Sequence, residues 1–159
     1  MEKKDPVQID QSDRQLLEAL QGNARLTTAD LAEQIGMSQS PCWRRIRRLE
    51  EEGLITGYHA RLNRRAMGWG VVAFVNISIE LQNKARSAEF VREVQAMPQV
   101  IMFHGLTGST DFLLMVVARD LDDYSDLLQN KLHGLPGVKQ VQTSISLQEF
   151  KAFSDLPLP

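Results

Sequence analysis

From Ile9 to about Leu54 apolar residues recur at helical spacing, as in Leu16, Leu17 and Leu20 and again in Leu31, Ala32 and Ile35. Start signals divide this stretch into three helices: Asp10-x-x-Asp13, Thr27-x-x-Asp30, and Ser38 followed by Pro41 in the first turn, where proline's missing N–H is harmless. Only Gly36 and Met37 separate the second helix from the third cap, the tight glycine-containing turn of a helix-turn-helix. Gly53 follows the third helix.

Beyond Asn63 the period becomes two. Ala73, Val75, Ile77, Ile79 and Leu81 alternate with Phe74, Asn76, Ser78 and Glu80, which predicts a half-buried strand. A helical stretch with Phe90, Val91 and Val94 follows, then strands near 100–106 and 112–118, a helix with Leu121, Tyr124 and Leu128, and a last strand near 138–150. Met97-Pro98-Gln99-Val100 and Leu135-Pro136-Gly137-Val138 echo each other at matching helix-to-strand junctions. The order βαββαβ predicts a ferredoxin-like sandwich with both helices on one face of an antiparallel sheet, so the fold class is α+β. Strands two and three are apolar on both sides, through Ile101, Met102 and Phe103 and through Leu113, Leu114, Met115 and Val116. A second copy of the chain is the expected cover for the other face. The expected organisation is a flexible tail at 1–8, a helix-turn-helix DNA-binding domain at 9–56, a connecting hinge at 57–69 and the sheet domain at 70–159.

Composition narrows the setting more than the function. Among 159 residues, 43% are apolar and 24% charged, ordinary values for a globular chain. No apolar run approaches the roughly 18 residues of a membrane span. The opening Met1-Glu2-Lys3-Lys4-Asp5-Pro6 lacks the apolar core of a secretory signal, and Cys42 has no intramolecular disulfide partner. A cytoplasmic location with no membrane contact is expected. The net charge of −2 does not favour nucleic acid on average, but a DNA-binding protein needs only a local basic face.

The third helix carries such a face. At about 100° per residue Cys42, Ile46 and Leu49 form a stripe that packs on the first two helices, while Ser40, Arg44, Arg47 and Arg48 lie opposite. The plainer alternative pairs Arg47 with Glu51 and Arg48 with Glu52, which puts cations before acids, the weaker order on a helix. Early arginines oppose the helix dipole but complement phosphates and guanine edges. The docking geometry of such motifs makes Ser38, Gln39, Ser40, Trp43, Arg44, Arg45, Arg47 and Arg48 the expected contacts to double-stranded DNA. Trp43 either packs on the sugar-phosphate backbone or closes the small core; Arg61, Arg64 and Arg65 either add phosphate contacts or line a solvated linker. Cys42 reads as a small core residue.

No catalytic constellation accompanies these features. His59, His104 and His133 fall at no metal-ligand spacing, Gly105-Leu-Thr-Gly108 lacks the dinucleotide fingerprint, and Asp120, Asp122 and Asp123 suit the start of a helix. Neither enzyme activity nor a metal or cofactor is expected.

Ile9-Asp10-x-x-Asp13-Arg14-x-Leu16-Leu17, Ser40-Pro41-Cys42-Trp43-Arg44-Arg45 and Arg48-Leu49-Glu50-x-x-Gly53-Leu54-Ile55 resemble the Lrp/AsnC family of feast/famine regulators. The resemblance continues through Gly108-Ser109-Thr110-Asp111-Phe112, Leu135-Pro136-Gly137-Val138, Leu147-x-Glu149-x-Lys151 and Leu156-Pro157-Leu158. It implies a winged helix-turn-helix, a linking strand within 57–69, and a βαββαβ domain that dimerises and assembles further into tetramers or octamers. It also implies a pocket for a small amino-acid effector at contacts between dimers, with Gly108, Ser109, Thr110, Asp111 and Phe112 at the pocket and Ile145 and Ser146 joining from the last strand. Thr110 stands where the family often has an aromatic residue, so the effector's identity does not carry over. Asp111 has two open roles, accepting a charge-assisted hydrogen bond from the ligand's ammonium or holding the turn through backbone N–H groups. Two further readings compete: a stand-alone amino-acid sensor, which has no use for an arginine-rich third helix, and an architectural DNA-bending protein, which shows no effector response.

Overall fold

The computed structural model describes residues 7–80, 84–152 and 155–158. The expected tail therefore lies outside the described residues except for Val7 and Gln8, as does Leu81. The chain forms two compact units, one from residues before 62 together with those after 150, the other from 62–150.

The first unit holds α1 (Gln11–Gly22), α2 (Thr28–Gln34) and α3 (Gln39–Glu51). Both expected acid-terminated caps are reciprocal capping boxes: Asp10 accepts from Asp13 N–H while Asp13 accepts from Asp10 N–H, and Thr27 and Asp30 do the same for α2. Ser38 is the N-cap of α3 but makes no side-chain cap bond. Gly36, at φ +70°, supplies the left-handed turn between α2 and α3 that a β-carbon would strain. Leu16, Leu20, Leu31, Ala32 and Cys42 form the core, with Ile46 and Ile55 packed at its edge.

A segment distant in sequence completes this unit. The Gln21 side chain donates to the Leu156 carbonyl at 3.1 Å and accepts from its N–H at 2.6 Å, and Arg61 meets Asp155 at 3.3 Å. The last strand stops at Ile145 rather than near 150, and residues after 150 belong to the same compact unit as the three helices.

The second unit comprises β1 (Val71–Ile79), α4 (Lys84–Gln95), β2 (Val100–Gly105), β3 (Phe112–Ala118), α5 (Leu121–Leu127) and β4 (Val138–Ile145). One π-turn, Leu128–Leu132, extends α5. The sheet is antiparallel in the order β2-β3-β1-β4, the ferredoxin-like arrangement. Ala73, Val75 and Ile77 on β1 and Leu114 and Val116 on β3 point to one side, where Phe90, Val94, Tyr124, Leu127, Leu132 and Leu135 cover them. The rings of Phe90, Phe103 and Phe112 meet with centroids 4.9–6.1 Å apart. Register puts Val72, Phe74, Met102, Leu113, Met115 and Val117 on the opposite side.

Within 57–69 no strand is present. Residues 56–63 are irregular and 64–68 form a turn, held where Asn63 accepts from Ala66 N–H and Arg64 donates to the Trp69 carbonyl. A linking strand needs a second strand to satisfy its N–H and C=O groups, and none of the described strands pairs with this segment.

Candidate nucleic-acid interface and effector turn

The expected DNA-contacting residues divide into two groups around α3. Ser38, Gln39, Ser40, Trp43, Arg44 and Arg47 are all exposed. The Arg47 guanidinium lies 5.9 Å from the Trp43 ring centre, a cation–π distance, so the indole lies on the surface and does not close the core. Arg47 reaches the half-buried Glu50 and the exposed Glu51 only at 3.6 and 3.7 Å, long pairs at the surface that contribute little.

Arg45 and Arg48 turn instead toward the start of α1. Arg45 Nη1 donates to Asp10 Oδ2 at 2.7 Å and to Asp13 Oδ1 at 2.8 Å, and Arg48 Nη2 donates to Asp13 Oδ2. The Asp13 side chain is only 1% exposed, whereas those of Arg45 and Arg48 are 30% and 43% exposed. The anticipated Arg48–Glu52 contact exists but is long, at 3.9 Å. The Asp13 N–H, then Arg45, hold the Asp10 carboxyl below the usual aspartate range, and the same pairing with Asp10 and Asp13 raises Arg45. Asp10 and Asp13 were expected only as helix-cap residues. The overlooked signal lies in their spacing, since Asp13 falls on the same stripe of α1 as Leu16, Leu17 and Leu20, where an acid requires a cation.

Residues 106–111 join β2 to β3, and the expected effector residues 108–112 are the end of this turn and the first residue of β3. Gly108 has φ +122°, and a β-carbon there meets no atom within 4 Å, so it is backbone conformation that asks for glycine. Asp111 stitches the turn to the end of β1: its Oδ2 accepts from Ile79 N–H at 2.8 Å, and its own N–H donates to the Ile77 carbonyl at 3.0 Å. Its carbonyl accepts from Leu106 N–H at 2.8 Å. Ser109 is exposed and Thr110 half-buried, while Phe112 packs into the aromatic cluster. Ile145 and Ser146 lie elsewhere. Phe112 pairs with Ile77 on one side of β1, and Ile145 pairs with Ala73 on the other. Four residues along a strand is about 13 Å. Within one chain the two parts of the expected effector site are not brought together.

The described residues hold no group of three His, Cys, Asp or Glu side chains able to bind a metal ion, and no helix among them is long and apolar enough to cross a membrane.

Comparison with known proteins divides the chain at nearly the same place, although the ligand-binding match runs past residue 150 into the segment that groups with the helices. Residues 9–56 match the winged helix-turn-helix DNA-binding family model, and residues 72–156 match the Lrp/AsnC ligand binding domain. The Bkd operon transcriptional regulator of Pseudomonas aeruginosa is 37% identical over 96% of this chain and 99% of its own. The leucine-responsive regulatory protein of Rhizobium meliloti is 36% identical over 91% and 93%. Among solved structures, a Neisseria meningitidis transcriptional regulator in complex with L-Met superposes with a TM-score of 0.90 at 35% identity, covering 94% of this chain and 97% of that one.

Proposed function

Because this chain belongs to the Lrp/AsnC family of DNA-binding transcriptional regulators, we propose that it reads double-stranded DNA through the exposed face of α3 and that a small amino acid bound at the 108–112 turn tunes that binding or the protein's assembly. It is a regulator, not an enzyme. The observation that carries the reading is the exposed run of Ser38, Gln39, Ser40, Trp43, Arg44 and Arg47 on the helix that follows the tight turn. Their positions suit a recognition helix entering the major groove N-terminus first, with arginine placed for guanine edges and phosphates. The work is assigned to the cytoplasm, where the DNA is.

The effector site is assembled from more than one copy. Residues 108–112 supply the Gly108 N–H for a carboxylate, and Ile145 and Ser146 are contributed by another chain, since they stand too far away within their own. The apolar sheet face with Phe74, Leu113 and Met115 supports dimerisation, with tetramers or octamers built on it. L-methionine is the first effector to test, because the Neisseria relative was solved with it.

The experiment is a gel shift on DNA from upstream of the protein's own gene, with and without each of the twenty amino acids, for wild type and Asp111→Ala. Wild type is expected to respond to at least one amino acid, and Asp111→Ala to bind DNA without responding. A full response in the variant removes the turn from the effector site. A wild type that binds no DNA sinks the whole reading.

A further inference from the structure

The ion cluster beneath α3 is unusual in its inventory. Two carboxylates of α1 and its cap, Asp10 and Asp13, bond two guanidiniums, Arg45 and Arg48, and Glu52 stands 3.9 Å from Arg48, so the charge of these two arginines is offset although they sit on the helix expected to face DNA. Asp13 accepts from both arginines and from Asp10 N–H, which occupies both of its oxygens. We propose that Asp13 is a positioning residue of the DNA reader, a buried clamp that withdraws Arg45 and Arg48 from phosphate contact and leaves recognition to the Arg44, Arg47 and Trp43 face.

The argument is one of competition. A DNA phosphate that draws Arg48 or Arg45 away leaves Asp13, at 1% exposure, with one cation in place of two, and weakening the pairing of a buried carboxylate costs more than an exposed phosphate contact gains. Non-specific binding grows with each phosphate neutralised, whatever the sequence. Holding two of the four α3 arginines back therefore lowers affinity for random and operator DNA alike and leaves discrimination to the direct base contacts of the free face. The same bonds fasten α3 to the first turn of α1 and fix the angle at which the free face is presented.

This inference rests on α3 being the DNA reader, and the experiment separates the two. Full-length wild type, Asp13→Asn, Arg45→Gln, Arg48→Gln, Arg44→Gln and Arg47→Gln are titrated by fluorescence anisotropy between about 50 and 200 mM salt against a duplex from upstream of the protein's own gene, taken as the operator, and a scrambled duplex. At a slope of about −0.9 per phosphate, two freed arginines make Asp13→Asn lose about tenfold more affinity than wild type across that range. On both duplexes at low salt it should bind more tightly than wild type. Arg45→Gln and Arg48→Gln should keep the wild-type slope, while Arg44→Gln flattens it by about one. Should Asp13→Asn fail to fold, the two arginine variants decide alone, because both positions are part-exposed at the helix surface. A slope lowered by about one in either Arg45→Gln or Arg48→Gln, or a folded Asp13→Asn with wild-type slope, overturns the clamp. If Arg44→Gln and Arg47→Gln both match wild type, it is the reader assignment that falls.

Discussion

The two units have interiors of different kinds. In the sheet unit Phe90, Val94, Leu114, Val116 and their neighbours make an apolar core between two helices and four strands. In the helical unit the apolar core is small, and a buried carboxylate with two arginines helps to join α1 to α3. Three short helices do not enclose enough apolar surface to fix their mutual angles by packing alone. Directional charge-assisted hydrogen bonds fix those angles instead, at the cost of sensitivity to anything that changes the charges. The sheet unit is set by shape; the reader is set partly by electrostatics.

The largest test of this contrast is Phe90→Ala. It removes a fully buried ring that touches Phe103 and Phe112, and should cost the sheet unit about 3–5 kcal/mol. Trp69 lies in the sheet unit and Trp43 in the reader, so urea unfolding of single-tryptophan variants reports each unit separately. The Trp69 transition should move and the Trp43 transition should stay; a common shift would mean that the units unfold as one. Next in size is Thr27→Ala, which removes the α2 capping box and should cost about 1 kcal/mol in the Trp43 transition alone. The smallest effect is acid sensitivity. Asp10 and Asp30 in the reader are held below the ordinary value of 3.8 by hydrogen bonds, Asp10 first by the Asp13 N–H and Asp30 first by the Thr27 hydroxyl. Their contribution is complete above that value and is lost as pH falls through the lowered one. Asp123 does the same for the sheet unit through Arg119. With two such acids against one, the Trp43 midpoint should fall further than the Trp69 midpoint between pH 4 and pH 2.5. Equal falls would erase the electrostatic half of the comparison.

Most of the fold was legible because its signals are local. The Asp10 and Thr27 caps, the Gly36 turn and the alternation of Ala73, Val75 and Ile77 each act within a few residues, and the structure realises all of them. What sequence reasoning missed depends on partners far along the chain. Arg48 looks like Arg44 and Arg47 in a helical projection, and only the packing of α1 against α3 separates it from them. Leu156 and Leu158 were visible as a motif, yet nothing near them says that Gln21, 135 residues away, holds the first. The distance between residues 108–112 and Ile145 was equally hidden, since it follows from strand order and not from spacing.

That long-range bond bears on how the protein is made. The reader is interrupted: its chain leaves after Arg61, spends residues 62–150 building the sheet unit, and returns with Asp155 and Leu156. A ribosome that has released the three helices has not yet made the segment that Gln21 binds. Domains fold as they emerge, so the sensor is finished before the reader can close. Every chain with a closed reader has therefore already synthesised its sensor, and a product truncated within residues 62–150 leaves the Gln21 side chain without Leu156.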